Sequence, residues 1–110
     1  MKILFVHQNF PGQFRHLASA LAANPGNEVL ALTMQGSTPA VWQGVRLVPY
    51  HPARGSTPGI HPWMVDLESK VIRADAALHV ALRLREQGFV PDVIGAHPGW
   101  GESLFLKDVW

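Results

Sequence analysis

The sequence predicts an α/β fold, a parallel sheet with strand order 3-2-1-4 flanked by helices. Three observations predict it. Four short apolar runs carry β-branched or aromatic residues, two intervening segments repeat apolar residues at helical spacing, and Pro, Gly and Asn gather at the junctions. Alternation of strand and helix favours parallel pairing through right-handed crossovers.

Lys2 to His7 is an apolar run of the kind buried on both faces of a parallel sheet, and is the first strand. After Asn9, Pro11 and Gly12, the residues Phe14, Leu17, Ala18 and Leu21 follow one helix face until Asn24, Pro25 and Gly26 stop it. Glu28 to Thr33 is the second strand and Val45 to Tyr50 the third, weakened near its end by Pro49. Pro52, Gly55, Pro58, Gly59 and Pro62 make His51 to Pro62 a loop. From about Trp63 to Gln87 the stripe Met64, Leu67, Val71, Ala74, Leu78 and Leu82 keeps helical period and is expected to be the buried face. Acidic Asp66 and Glu68 near its start, Arg83 and Arg85 near its end, and Gly88 after it agree with a helix of that direction. Val93 to His97 is the fourth strand, followed by the loop Pro98 to Gly101 and a short amphipathic segment, Glu102 to Trp110.

At 110 residues, 47% of them hydrophobic, the chain has room for one small domain with a core. Nine Lys and Arg against eight Asp and Glu give a formal charge of +1, which offers no strong field for nucleic acid or an acidic membrane. No cysteine is present, so disulfide scaffolds, thiolate zinc sites and a Cys nucleophile are excluded, and the cytoplasm is the default compartment. The opening apolar run is too short for a signal peptide, and no segment approaches the roughly 20 apolar residues of a membrane span. Gly-x-Gly-x-x-Gly and Gly-x-x-x-x-Gly-Lys are both absent, which leaves NAD and P-loop nucleotide binding without support. No histidine has metal-ligand spacing, so no metal site is expected.

With the first strand central, growth of the sheet reverses between strands one and four, and ligands bind beyond the strand ends at such a switch point. That places Asn9, Phe10, Pro11, Gly12 and Gln13 beside the second loop, about ninety positions away in the chain. Backbone N–H groups near Gly12 suit a phosphate or a sugar hydroxyl, although a Pro-Gly turn that merely starts a helix has the same local pattern. In the second loop, which opens with the candidate contact Pro98, the glycines Gly99 and Gly101 let the backbone approach a ligand, and Trp100 offers a face on which a sugar ring can stack. His97 and Glu102 are the candidate acid, base or hydroxyl-orienting groups. The competing structural roles are a hydrogen-bonded strand end for His97 and a helix-start charge for Glu102. His61 with Trp63 is retained as a candidate acceptor contact; His16, His51 and His79 are assigned to surface or core.

The segments MKILFVHQNFPGQFRHLA and GFVPDVIGAHPGWGESLFLKDVW resemble, in the same order, the N-terminal domain of a bacterial subgroup of family 4 glycosyltransferases. The blocks HQNFPGQFRHL and AHPGWGESLFLKD are specific to that subgroup, and the stretch Gln35 to Gly44 contributes least. The resemblance implies a partial Rossmann-like N-terminal domain of a GT-B fold over residues 1–110, on the acceptor side of a retaining, metal-independent transferase with a nucleotide-sugar donor and no further cofactor. It implies that Phe10 to Gln13 lie near the donor phosphates and that His97 to Glu102 line the acceptor side. It also implies that the remaining strands and a donor-binding C-terminal domain lie outside these 110 residues, so the segment alone is expected to be inactive.

The acceptor of the parent enzyme is a glycan, lipid or small molecule, and peripheral association with a membrane is compatible with it. The exposed fourth strand is expected to favour a dimer. The alternative is a standalone, non-catalytic α/β sugar-binding or interaction module that kept the two loops. A receiver or flavodoxin-like domain fits the strand order but lacks an acidic pocket and a flavin phosphate loop.

Overall fold

A computed structural model describes residues 1–34 and 40–110. The loop expected after the second strand includes residues 35–39, which lie outside the described residues. The sheet contains β1 (Lys2–Val6), β2 (Glu28–Thr33), β3 (Val41–Trp42), β4 (Val45–Pro49) and β5 (Val93–Ala96), in the order β3-β4-β2-β1-β5. The four expected strands therefore stand in the expected order. β3 is an addition at the outer edge, paired antiparallel with β4, whereas the other neighbours are parallel. It forms because Gln43 and Gly44, with φ of 43° and 82°, make a two-residue turn of the kind that joins tight hairpins.

Side chains alternate across the pleat, so each strand feeds two cores. Ile3, Phe5, Val29, Ala31, Val45 and Leu47 face one side, where Ala18 of α1 (Arg15–Ala22) joins them. Leu4, Val6, Leu30 and Leu32 face the other, under α2 (Val65–Glu86) and the carboxyl-terminal Leu106 and Val109. Right-handed crossovers on either side of central β1 put the two helices on opposite faces, because the sheet grows in opposite directions from it.

The buried face of α2 differs from the stripe expected from the sequence. Ala74, Ala77, Val80, Ala81 and Leu84 are buried, whereas Met64, Leu67, Val71 and Leu82 are exposed and only Ala74 of the expected stripe is fully covered. The buried face combines three alanines with Val80 and Leu84, while Met64, Leu67, Val71 and Leu82 turn outward. A 22-residue helix is also about 33 Å long, far longer than strands of four to six residues, so its first turns extend past the sheet. Its end follows the sequence: Gly88, at φ 87°, donates its N–H to the Arg85 carbonyl, and Phe89 N–H returns to Leu84. Among the described residues no helix is long and apolar enough to cross a membrane.

The sequence-predicted amphipathic segment after residue 101 is a series of turns with one 3-10 turn at Leu106–Asp108. Trp110 anchors it, donating Nε1–H to the Phe89 carbonyl at 3.1 Å.

Candidate functional site

Hydrogen bonds of the parallel ladder continue one residue past β1 and β5 and fix two histidines side by side. His7 N–H donates to the Leu32 carbonyl at 3.1 Å, and His97 N–H donates to the Val6 carbonyl at 3.0 Å. Both side chains thus leave the carboxyl ends of neighbouring strands, at the point where strand order reverses. Their ring centroids are 5.5 Å apart. Trp100 completes the cluster, stacked on His97 at 4.3 Å and edge-on to His7 at 5.0 Å.

Each loop is built by its own sequence. Thr33, fully buried at the end of β2, accepts the Phe10 N–H at 3.3 Å and donates its hydroxyl to the Gln8 carbonyl at 3.2 Å, which fixes the turn after β1. Phe10 is buried against Phe5 and Trp42, so it anchors this loop from below rather than presenting a surface to a ligand. Asn9, Gly12 and Gln13 are exposed and Pro11 is half-buried, with Gly12 opening a 3-10 turn that leads into α1. Gly12 has φ 46°, and a Cβ there would stand 2.3 Å from Cε1 and Nε2 of His7. Glycine is required at this position by both the backbone and the imidazole.

In the second loop Pro98 and Gly99 are exposed and begin a 3-10 turn capped by His97. Gly101 has φ 97°, and a Cβ there would meet the Lys70 carbonyl oxygen at 2.5 Å, so this loop lies hard against α2. Arg73 strengthens that contact by donating Nε–H to the Trp100 carbonyl at 2.8 Å and an Nη1 hydrogen to the Ser69 hydroxyl at 2.7 Å.

Glu102, expected from the sequence to act on a ligand, points inward. It is only 2% exposed, accepts the Tyr50 hydroxyl at 2.7 Å and faces Arg73 Nε at 3.6 Å. Burial, reinforced by the hydrogen bond to Glu102, pushes the Tyr50 hydroxyl pKa far above its ordinary range. The triad ties the end of β4 to α2 and to the second loop. Its function in this geometry is to hold the loop that carries His97 and Trp100.

His61 and Trp63 lie apart from this cluster, at the start of the turn before α2, with their rings 5.7 Å apart. Trp63 is 88% exposed. The loop before them is fastened to α2 by Glu68, which accepts from Arg54 at 3.0 Å and from the Thr57 N–H at 3.2 Å. Thr57 and Arg54 together hold the Glu68 carboxyl below its ordinary range. Between that loop and α2 runs an open groove of about 620 Å³, lined by Tyr50, His51, Arg54, Val71, His79 and Phe105 among others. It includes Tyr50 of the triad, and none of His7, His97 and Trp100 lines it.

Three residues of this arrangement escaped the sequence reading. His7 ends an apolar run immediately before a Pro-Gly turn, and that polar interruption was a usable signal. Tyr50 and Arg73 gave none, since their partner Glu102 is far away in the sequence. Among the described residues no three His, Asp or Glu side chains gather as metal ligands would.

Comparison with curated proteins and with solved structures returned no match. A family model described as "Glycosyl transferase family 4 group" matches residues 25–110. The matched range runs from the turn before β2 through α2, β5 and the loop that carries His97, Trp100 and Glu102. It covers well over half of the 110 residues and agrees with a parallel sheet that opens at a switch point, and on that ground the chain belongs to the glycosyl transferase family 4 group.

Proposed function

We propose that this domain forms the acceptor side of a retaining glycosyltransferase site, in which a sugar passes from a nucleotide donor to a glycan, lipid or small-molecule acceptor. The observation that carries the reading is the convergence of His7, His97 and Trp100 beyond the ends of β1 and β5. Trp100 supplies an apolar face for a sugar ring, and His97 supplies a polar group at the edge of that face. The groove along α2 supports an acceptor that extends away from the reacting sugar, with His61 and Trp63 in the turn that leads into the same helix. The donor nucleotide is held mainly by a second Rossmann-like domain across the cleft, and transfer proceeds without a bound metal ion. Catalysis then rests on positioning, because the reaction joins two bound molecules.

The test is transferase activity of the reading frame that contains this segment, against a panel of nucleotide sugars, with His97→Ala and Trp100→Ala in parallel. Turnover that falls at least about a hundredfold in either variant, with folding intact, supports the reading. Unchanged turnover in the presence of a chelator is expected, and product of inverted anomeric configuration would refute the retaining mechanism. Absence of turnover with every donor would favour a non-catalytic sugar-binding module.

A further inference from the structure

We infer that the groove along α2 binds an amphipathic anion, an aliphatic chain that ends in a carboxylate or a phosphate, with Arg83 as the residue that reads its charge. The groove follows from the spacing of residues on the helix. Val71, Asp75 and His79 recur every fourth position, and Ile72, Ala76 and Val80 do the same one place later, so they border one side of α2. From Val71 to Arg83 the lining covers about 18 Å of helix. Val80 belongs to the core beneath α2 and Ala76 packs against that core, so the floor is apolar, and Ala76 adds little bulk to it. The opposite wall is the segment Pro49 to Arg54, which is fastened near both ends: Tyr50 donates its hydroxyl to Glu102 at 2.7 Å, and Arg54 pairs with Glu68 at 3.0 Å. Both walls are in place before a ligand arrives, which lowers the ordering cost of binding. A volume of about 620 Å³ is that of a small-molecule site.

The chemistry of the lining selects the ligand. Among the described residues no Asn, Gln, Ser or Thr lines the groove and Asp75 is its only carboxylate, whereas a run of sugar hydroxyls calls for several such partners. Asp75 already faces His79 Nε2 at 3.4 Å. Val71, Ile72, Val80 and Phe105 suit an aliphatic chain instead. A cationic head is opposed at both ends. Arg54, bound to Glu68, stands toward the start of α2, and Arg83 stands toward its end. The two guanidiniums are not equivalent. Nη1 of Arg54 is committed to Glu68, to the Thr57 hydroxyl and to the Gly55 carbonyl. Arg83 makes no ion pair among the described residues, and its planar fork can pair with a carboxylate or a phosphate through two N–H donors. The aliphatic chain therefore lies on the apolar floor with its acidic end at Arg83.

This inference rests on the transferase reading only in naming the bound molecule as the acceptor, so its test is one of binding and uses the 110-residue chain. Decyl phosphate, titrated below its micelle concentration and followed by amide NMR, is expected to shift Val71, Ala76, His79, Arg83 and Phe105. Decyltrimethylammonium has the same tail and the opposite charge, and should bind about tenfold more weakly or worse. Arg83→Gln should weaken decyl phosphate about fivefold and leave decyl maltoside, which has a neutral head, unchanged. Ala76→Leu fills the groove at a half-buried position and should abolish binding of both. Equal affinity for the two charged heads, unchanged affinity in Arg83→Gln, or shifts confined to other parts of the surface would each overturn the inference. If Ala76→Leu does not fold, Arg83→Gln still decides, because Arg83 is exposed. Decanoate, run beside decyl phosphate, separates the sources: tighter decanoate supports a fatty acid as the ligand, and tighter decyl phosphate supports a phosphorylated lipid. Binding as expected from a reading frame without transferase activity would keep the ligand of the groove and remove its role as acceptor. Transferase activity without binding of either anion would overturn the groove ligand and leave the transferase reading standing.

Discussion

Glu102→Ala separates a strut from an acid. In the structure the carboxylate is 2% exposed, accepts the Tyr50 hydroxyl at 2.7 Å and stands 3.6 Å from Arg73, whose side chain is 18% exposed. Removing one member of a buried ion pair costs about 3–5 kcal/mol, because the partner charge stays behind without compensation. Arg73 keeps its bonds to Ser69 and Trp100 and some contact with water, so the lower end, about 3 kcal/mol, is the expected loss. Tyr50→Phe deletes a hydrogen bond to a charged group and should cost about 1.5–3 kcal/mol. The double variant should cost less than the sum, since both changes break the same bond. Urea unfolding followed by tryptophan fluorescence measures all three, and Trp42 and Trp110, packed on Phe10 and Phe89, report on the two cores. A loss under about 1 kcal/mol in Glu102→Ala, together with abolished transferase activity in the full reading frame, would refute the structural role and return the carboxylate to the chemistry.

Gly101→Ala should destabilise the fold by about 2 kcal/mol or more, since it combines a left-handed backbone with a clash against the Lys70 carbonyl; equilibrium unfolding checks it. Tyr50 gives an alkaline signature. The folded state keeps a proton that the unfolded chain releases above about pH 10, so stability is intact below that pH and falls by about 1.4 kcal/mol per unit above it, a slope that Tyr50→Phe should remove. His7 gives the acid counterpart: its folded pKa lies below the unfolded value near 6.5, so its contribution is present above that pH and is lost as pH falls through the folded pKa, unlike in His7→Phe. The open edge of β5, with exposed Val93 and an adjoining apolar groove lined by Phe14, Leu17 and Leu21, should pair with a second copy; sedimentation should show mass rising with concentration, and Val93→Lys should suppress it.

Much of the fold was legible because the parallel strands are buried on both faces and read as apolar runs, bounded by residues that cannot continue them. The hairpin strand was missed although Val41 and Trp42 precede Gln43-Gly44 and Val45, a β-branched and aromatic pair beside a turn glycine. The face of α2 misled for a physical reason. Sequence periodicity gives weight to large residues, while the buried face of this helix is made largely of Ala74, Ala77 and Ala81, small residues that carry little weight in such a pattern, together with Val80 and Leu84. The two loops could be placed together because the switch-point rule follows from strand order alone. Burial of Phe10 and Glu102 could not be read, since it depends on Thr33, Trp42, Tyr50 and Arg73, which reach those residues only through the folded sheet.

The contact between Gly101 and Lys70 ties one half of the site to α2 while the other half stays with the central strand. His7 rides on the central strand, held by β2 and by the turn that Thr33 secures. Trp100 rides on α2, clamped at its carbonyl by Arg73 and wedged by the glycine that follows it. A shift of the helix along its axis would therefore change the 5.0 Å separation of His7 and Trp100, whereas the seat of His7 over Gly12 does not depend on α2. The same helix carries Glu68, which fastens the loop before α2, so the anchor of that loop and the Arg73 clamp on the aromatic wall of the cleft are only about one and a half turns of helix apart. The width of the cleft at Trp100 is thus tied to the same helix that anchors the loop before it.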